Sequence, residues 1–196
     1  MSALVQSPEQ RFRESINYMI GIYEWILKDL ESKKLTNPVK VNSVLMGIAK
    51  KAIEEVSDVK LIETAIEKSM VAWVYAHYYD DVDKKINVTY LRNNFSVFLA
   101  ELPTDTCEEL TRLSLHKDEN GNYAITDVVV DKIHQAGLMM VRIALNYLEA
   151  KGVTEGRMIK MPFKNRLIEY ESKTCTYEKL SYIDVGFWRH LYPAKN

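Results

Sequence analysis

Two cysteines, seven glycines and five prolines are few for 196 residues. Cys107 and Cys175 cannot build a disulfide framework, and neither belongs to a Cys-x-x-Cys pair. The expectation is a chain with reduced thiols in a cytoplasmic compartment. So little glycine and proline leaves few turns, which favours long helices over many short strands. No run of about 18 uninterrupted apolar residues occurs, so no membrane span is expected. A basic stretch leading into an apolar one is missing near Met1, and with it the mark of a secretory signal. Charge of one sign is lacking too. The formal balance is −1, which removes any global electrostatic case for nucleic acid or acidic lipid.

Assembled chemistry is also missing. There is no nucleophile elbow, no phosphate-binding glycine loop and no His-Asp doublet, and no cofactor is expected. Glu55-Val56-Ser57-Asp58 gives half of the paired acidic pattern found in all-helical nucleotide pyrophosphatases. Asp80-Asp81-Val82-Asp83 falls short of an Asp-Asp-x-x-Asp diphosphate box, because Lys84 holds the last place. A calcium loop centred on Gly121 would begin at His116, place Tyr123 eighth and end at Asp127, and each of those positions is wrong for the ion. Asn120-Gly121 reads as a plain tight turn. The Asn-x-Ser/Thr triplets at Asn87 and Asn94 are expected to be chance matches, given the expectation of a chain that is not secreted.

What is present is helical periodicity. Ser7-Pro8-Glu9-Gln10 combines a cap, a first-turn proline and a capping-box glutamine. Phe12, Ile16, Met19, Tyr23, Ile26 or Leu27, and Leu30 follow at core spacing as far as Lys33. Ile20, Ile22 and Trp25 form a second apolar stripe. Asn37-Pro38 opens a second expected helix with Val41, Val44, Leu45, Ile48, Ala52, Ile53 and Val56 inward. Ser57-Asp58 caps a third, with Val59, Ile62, Ile66, Met70, Trp73 and His77 along one side. A fourth runs from Asn87 to Glu101, with Val88, Leu91, Phe95, Phe98 and Leu102 inward. Pro103 ends it, and Thr104 or Thr106 caps a fifth that reaches Leu115.

Thr126 to Gly152 predicts one long helix, with Val129, Ile133, Ala136, Met140, Ala144 and Leu148 as its core face. Leu138, Val141, Ile143 and Leu145 widen that face, so other helices must surround it. Beyond Gly152 the period changes. Ile159, Met161 and Phe163, then Ile168 and Tyr170, alternate as two short strands turning near Lys164-Asn165. A last helix follows Thr176, with Leu180, Ile183, Phe187 and Leu191 inward. The expected fold is mainly α. It has about six to seven helices around a central apolar helix at 126–151, with a small β-hairpin near 157–171. Residues 1–152 form the helical core, and 153–196 a hairpin-plus-helix extension packed on it. A strongly apolar helix among amphipathic ones is similar to the Bcl-2-like arrangement, although the Asn-Trp-Gly-Arg box of that family has no counterpart here.

Four constellations bear on function. His77 and Asp81, four apart on a helix, could share a metal in a hydrolase, but no third ligand recurs at matching spacing. Cys107 opens a helix, where a thiol is activated, and His116, His134 or His190 could serve as its base; Glu108 and Glu109 oppose a thiolate. Residues 151–196 hold nine Lys/Arg against five Asp/Glu, leaving 17 against 22 in the remainder. Within this basic tail, Arg157, Lys160, Lys164, Arg166 and Tyr170 form a candidate single-stranded nucleic-acid surface, or else an edge protected from aggregation. Twelve tyrosines and three tryptophans concentrate at Tyr75, Tyr78 and Tyr79 and again at Trp188 and Tyr192. Such residues anchor protein interfaces. With Ile22 and Trp25 they form the candidate partner-binding set.

The leading expectation is a non-enzymatic protein-interaction or structural protein, of the kind common among viral and phage accessory factors. Its partner would be a protein, and a homodimer comes first. The alternatives are nucleic-acid binding through the tail and metal-dependent hydrolysis at His77.

Overall fold

Ser7 starts the first helix by the mechanism its sequence spells out. Its hydroxyl accepts from the Gln10 N–H at 3.2 Å, while the Gln10 side chain accepts from the Ser7 N–H at 3.1 Å. Two donors that a helix start leaves orphaned are thereby satisfied. The helix, α1, runs Pro8–Ser32. Five more helices follow in the computed structural model, which describes residues 5–41, 43–68, 88–96, 98, 103–153, 158–160 and 182–184. They are α2 Ser43–Glu54, α3 Asp58–Lys68, α4 Val88–Asn93, α5 Thr104–Leu115 and α6 Asp127–Ala150. The fold is mainly α, as expected.

The two longest helices form the main contact. α1 packs most extensively on α6, and also on α3 and α2; α4 packs on α5 and α6. Phe12, Ile16, Met19, Ile20, Tyr23, Ile26, Leu27 and Leu30 are all buried on α1. Burying eight large side chains contributes roughly 12–24 kcal/mol before conformational entropy is charged against it. α6 is buried on several sides, through Val130, Ile133, Ala136, Met140, Val141, Ile143, Ala144, Leu145 and Leu148. Glu9, in the first turn of α1, acts electrostatically on Tyr147, in the last turn of α6. The two helices therefore run antiparallel.

Several expectations need correction. Ile20 is not a leftover but core. Asn37-Pro38 opens a turn rather than a helix: the Asn37 carbonyl accepts from Lys40 and Val41, and its side-chain oxygen from Val39. An Asn side chain folding onto its own backbone is a turn device as much as a helix start. α2 begins at Ser43 and buries Met46; Ile48 and Ala52 are exposed, whereas Val41, Ile53 and Val56 pack against the core as expected, and the side chains of Val44 and Leu45 lie outside the described set. Val59 is exposed. The fourth helix stops at Asn93 and continues as turn through Ser96, though Leu91, Phe95 and Phe98 are inward as expected. Neither Thr104 nor Thr106 caps α5: Pro103 holds the cap position without a side-chain bond, and Thr106 is buried. Thr126 does hold the cap position of α6, without using its hydroxyl.

In the tail, β1 Met158–Lys160 pairs antiparallel with β2 Tyr182–Asp184, with Ile159 opposite Ile183. The partner strand therefore lies at 182–184, and Ile183 sits on a strand where a helix was expected. Leu180, Ile183, Phe187 and Leu191 fit a helical spacing, but Tyr182-Ile183-Asp184 also alternates, and a run this short does not separate the two periods. Residues 161–181 lie outside the described set, as do Met70, Trp73 and Leu102.

Three arginines fasten the connections between helices. Arg13 of α1 donates to Asp58 and to the carbonyls of Ile53 and Val56, holding the α2–α3 turn against α1. Arg112 of α5 donates to the Leu35 carbonyl at 2.8 Å and to Glu109. Glu109 in turn accepts from the Asn37 N–H, and Thr106 donates to the Lys40 carbonyl at 3.0 Å. Together they pin the α1–α2 turn onto α5. Arg92 is buried. It donates to the Ser114 and Ile125 carbonyls at 2.7 and 2.9 Å, pairs with Asp127 at 2.5 Å, and stacks over Tyr123 at 3.7 Å. One side chain thus joins α4, the end of α5, the 116–125 loop and the start of α6. Within that loop Gly121 has φ +79°, a conformation that favours glycine, and the Asp118 carboxylate accepts from the Asn120 and Asn122 N–H groups.

Candidate functional site

Once the core faces of α1 and α6 are assigned, each helix has an outward stripe. On α1 the stripe is Arg11, Glu14, Tyr18, Ile22 and Trp25, spaced three, four, four and three residues apart. On α6 it is Val128, Asp131, Gln135, Met139, Arg142 and Asn146. The antiparallel pairing lays these stripes side by side and leaves an open groove of about 760 Å³ between them, lined by residues from Gln6 to Tyr18 and from Asp131 to Asn146. A second depression, lined by Val5, Gln10, Arg13, Asn17 and Asp58, continues from it around the start of α1.

The groove is part apolar and part charged. Of its lining, Tyr18 is 61% exposed and Met139 50%; Trp25 (61%) and Val128 (66%) are exposed on the same two helices beyond that lining. Ile22, on the same stripe of α1, is half-buried and packs against the core. Four of the nine large hydrophobic side chains exposed among the described residues thus fall on one face built from two helices. Single exposed apolar residues need no explanation, but a contiguous strip marks a contact surface. Arg11, Lys132 and Arg142 line the groove with Glu14 and Asp131. Glu14 accepts from Gln6 at 2.5 Å. Among the described residues Arg142 and Asp131 form no ion pair, and the Arg142 Nε–H is buried with no acceptor.

Elsewhere the titratable groups serve packing. Burial, then the nearby charge of Cys107, pushes the Tyr23 phenol well above its usual range. Its hydroxyl donates to the Phe95 carbonyl, and its ring meets Phe95 edge-on at 5.3 Å. Burial, then the hydrogen bond to Glu63 and the charges of Glu63 and Glu9, raise Tyr147 to about 12. Burial alone would raise the Glu109 carboxyl. The Arg112 hydrogen bond, the Asn37 N–H and the charges of Arg112 and Lys40 together outweigh it, and the pKa is lowered.

The expected site residues separate into those the structure places and those outside the described set. Ile22 and Trp25 both lie on α1, Ile22 half-buried against the core and Trp25 exposed, and neither is among the residues that line the groove. Tyr75, Tyr78, Tyr79, Trp188 and Tyr192 lie outside the described residues, as do His77 and Asp81. Of the basic tail only Lys160 is placed, on β1; Arg157, Lys164, Arg166 and Tyr170 lie outside. Cys107 is half-buried in the first turn of α5, and His134 is buried on α6. Asp58, the last residue of the half acidic pattern, is engaged by Arg13. Among the described residues no three His, Cys, Asp or Glu side chains converge as metal ligands, and no helix is long and apolar enough to cross a membrane.

Tyr18, Met139 and Arg142 went unnoticed in the sequence, though a signal existed. Tyr18 stands two turns before Trp25 on the same stripe. Arg142 is the one charge between Ile133 and Leu148, and a charge kept inside so apolar a run has a surface to face. No family model, no curated protein and no solved structure matches this chain.

Proposed function

We propose that this is a non-enzymatic helical interaction or structural protein that docks a protein partner through the α1–α6 face. The observation that carries the reading is the strip formed by Tyr18, Ile22, Trp25, Val128 and Met139. Large side chains left in water on two adjacent helices are worth roughly 1.5–3 kcal/mol each when a partner covers them. Aromatic residues lead such surfaces because they bring area with few rotatable bonds. The mixed charges along the groove fit a protein surface better than a phosphate backbone, which asks for cations alone. The remaining aromatic candidates, Tyr75, Tyr78, Tyr79, Trp188 and Tyr192, belong to the same proposal as extensions of the contact.

The test is affinity capture with the full chain as bait, comparing wild type with Trp25→Glu. Trp25 is 61% exposed, so the variant is expected to keep its helical signal. A specific protein retained by wild type and lost with Trp25→Glu supports the reading. Identical capture by both baits removes this face from the account.

A further inference from the structure

Asp131 and Arg142 stand eleven residues apart on α6, and both line the groove. Eleven residues make close to three turns. The two side chains share a face to within about 20° and lie roughly 16 Å apart along the axis. Opposite charges at that spacing do not pair within one helix. A half-buried guanidinium with an unused donor is nonetheless an unfavourable end state, because removal from water is offset only by an acceptor.

We propose that the groove is filled by a second copy of this chain. The two α6 helices lie antiparallel through their outward faces, about a two-fold axis level with the Ala136–Gly137 step. Asp131 of one copy then meets Arg142 of the other, and the same pair recurs across the axis. Gln135 meets Leu138, and Tyr18 and Met139 supply apolar contact close to the axis. This rests on the docking role of the α1–α6 face and adds the partner and the register.

Charge decides for a second copy over a foreign protein. An isologous interface sets a patch against itself, so it needs both signs, placed symmetrically about the axis. Asp131 and Arg142 satisfy that condition on one helix. A groove for an acidic or a basic foreign helix carries one sign. The exposed strip at Tyr18, Trp25, Val128 and Met139 adds the apolar area that a pair of ion pairs lacks by itself.

The experiment is light scattering on the full chain across the micromolar range, with two charge reversals. Wild type is expected at twice 22.7 kDa. Arg142→Asp sets carboxylates against each other across the axis, and Asp131→Arg sets guanidiniums against each other. Each variant is expected to weaken self-association at least about tenfold. An equimolar mixture of the two variants is expected to restore the dimer, because every facing pair is then complementary. The mixture also guards against misfolding, since damaged chains do not rescue one another; Asp131→Asn with Arg142→Gln gives a milder second pair that weakens both homodimers. Wild type that stays monomeric at all concentrations overturns the second copy, and a dimer indifferent to both reversals overturns the register. Loss of partner capture by Trp25→Glu in a monomeric wild type would leave the docking face standing without this occupant.

Discussion

Arg92 joins four segments through one guanidinium, and nothing in the spacing of the sequence announces it. Its acceptors at Ser114 and Ile125 are backbone carbonyls, and any residue type can supply those. The same holds for Arg13 on Ile53 and Val56 and for Arg112 on Leu35. Arg92→Met is expected to cost about 3–5 kcal/mol in denaturant unfolding, because it strands two buried acceptors; a loss below about 1 kcal/mol would show that the knot is dispensable. Lys34 closes α1 with φ +58°, where glycine is the usual residue. Lys34→Gly is expected to raise stability by about 1 kcal/mol, read as a higher midpoint of thermal unfolding. Glu109 has a lower carboxyl pKa in the folded chain than the ordinary 4.5. The folded state therefore binds fewer protons, and the stability this group adds is present above pH 4.5 and lost as pH falls through the folded value. Glu109→Gln is expected to be less stable at neutral pH and to show a shallower loss of stability on acidification below that point. Equal slopes for the two proteins would contradict the assignment.

Length and caps decide which elements were legible. α1 and α6 are read almost to the residue, because more than six turns of each repeat the same apolar spacing and because Ser7-Pro8 and Gly152 mark their limits. The start of α2 was misread because Asn37-Pro38 fits a turn as well as a helix start; its inward residues were legible in part, since Val41, Ile53 and Val56 pack against the core while Ile48 and Ala52 face out. β2 was misread because three residues carry no period of their own. The α4–α6 contact depends on a missing atom rather than a present one. A Cβ on Gly137 would run into the Phe98 ring, so the segment after α4 and α6 approach more closely than side chains ordinarily allow. Gly137→Ala gains up to about 1 kcal/mol of helix propensity but overpacks this contact by about 1–3 kcal/mol. The net expectation is a lower unfolding midpoint; a higher one would mean that the close approach is not maintained in solution.

At the scale of the molecule, the described helices bury one contiguous core and leave one two-helix face with both apolar area and charges without ion-pair partners. Half of that face was visible in advance: Ile22 and Trp25 remain after the α1 core stripe is subtracted. The other half, on α6, was hidden because its residues sit within an apolar run that reads as core on every side, and only the pairing with α1 shows which side stays open. The central claim is that this face is covered by protein when the chain is at work. Site-specific photo-cross-linking tests it most directly, with a photoreactive residue at Trp25 and, for comparison, at Val59, which is exposed on α3 and not on either helix of the α1–α6 face. The account predicts a discrete cross-linked product from position 25 and none from position 59. Equal labelling from both positions, or none from either, would contradict it.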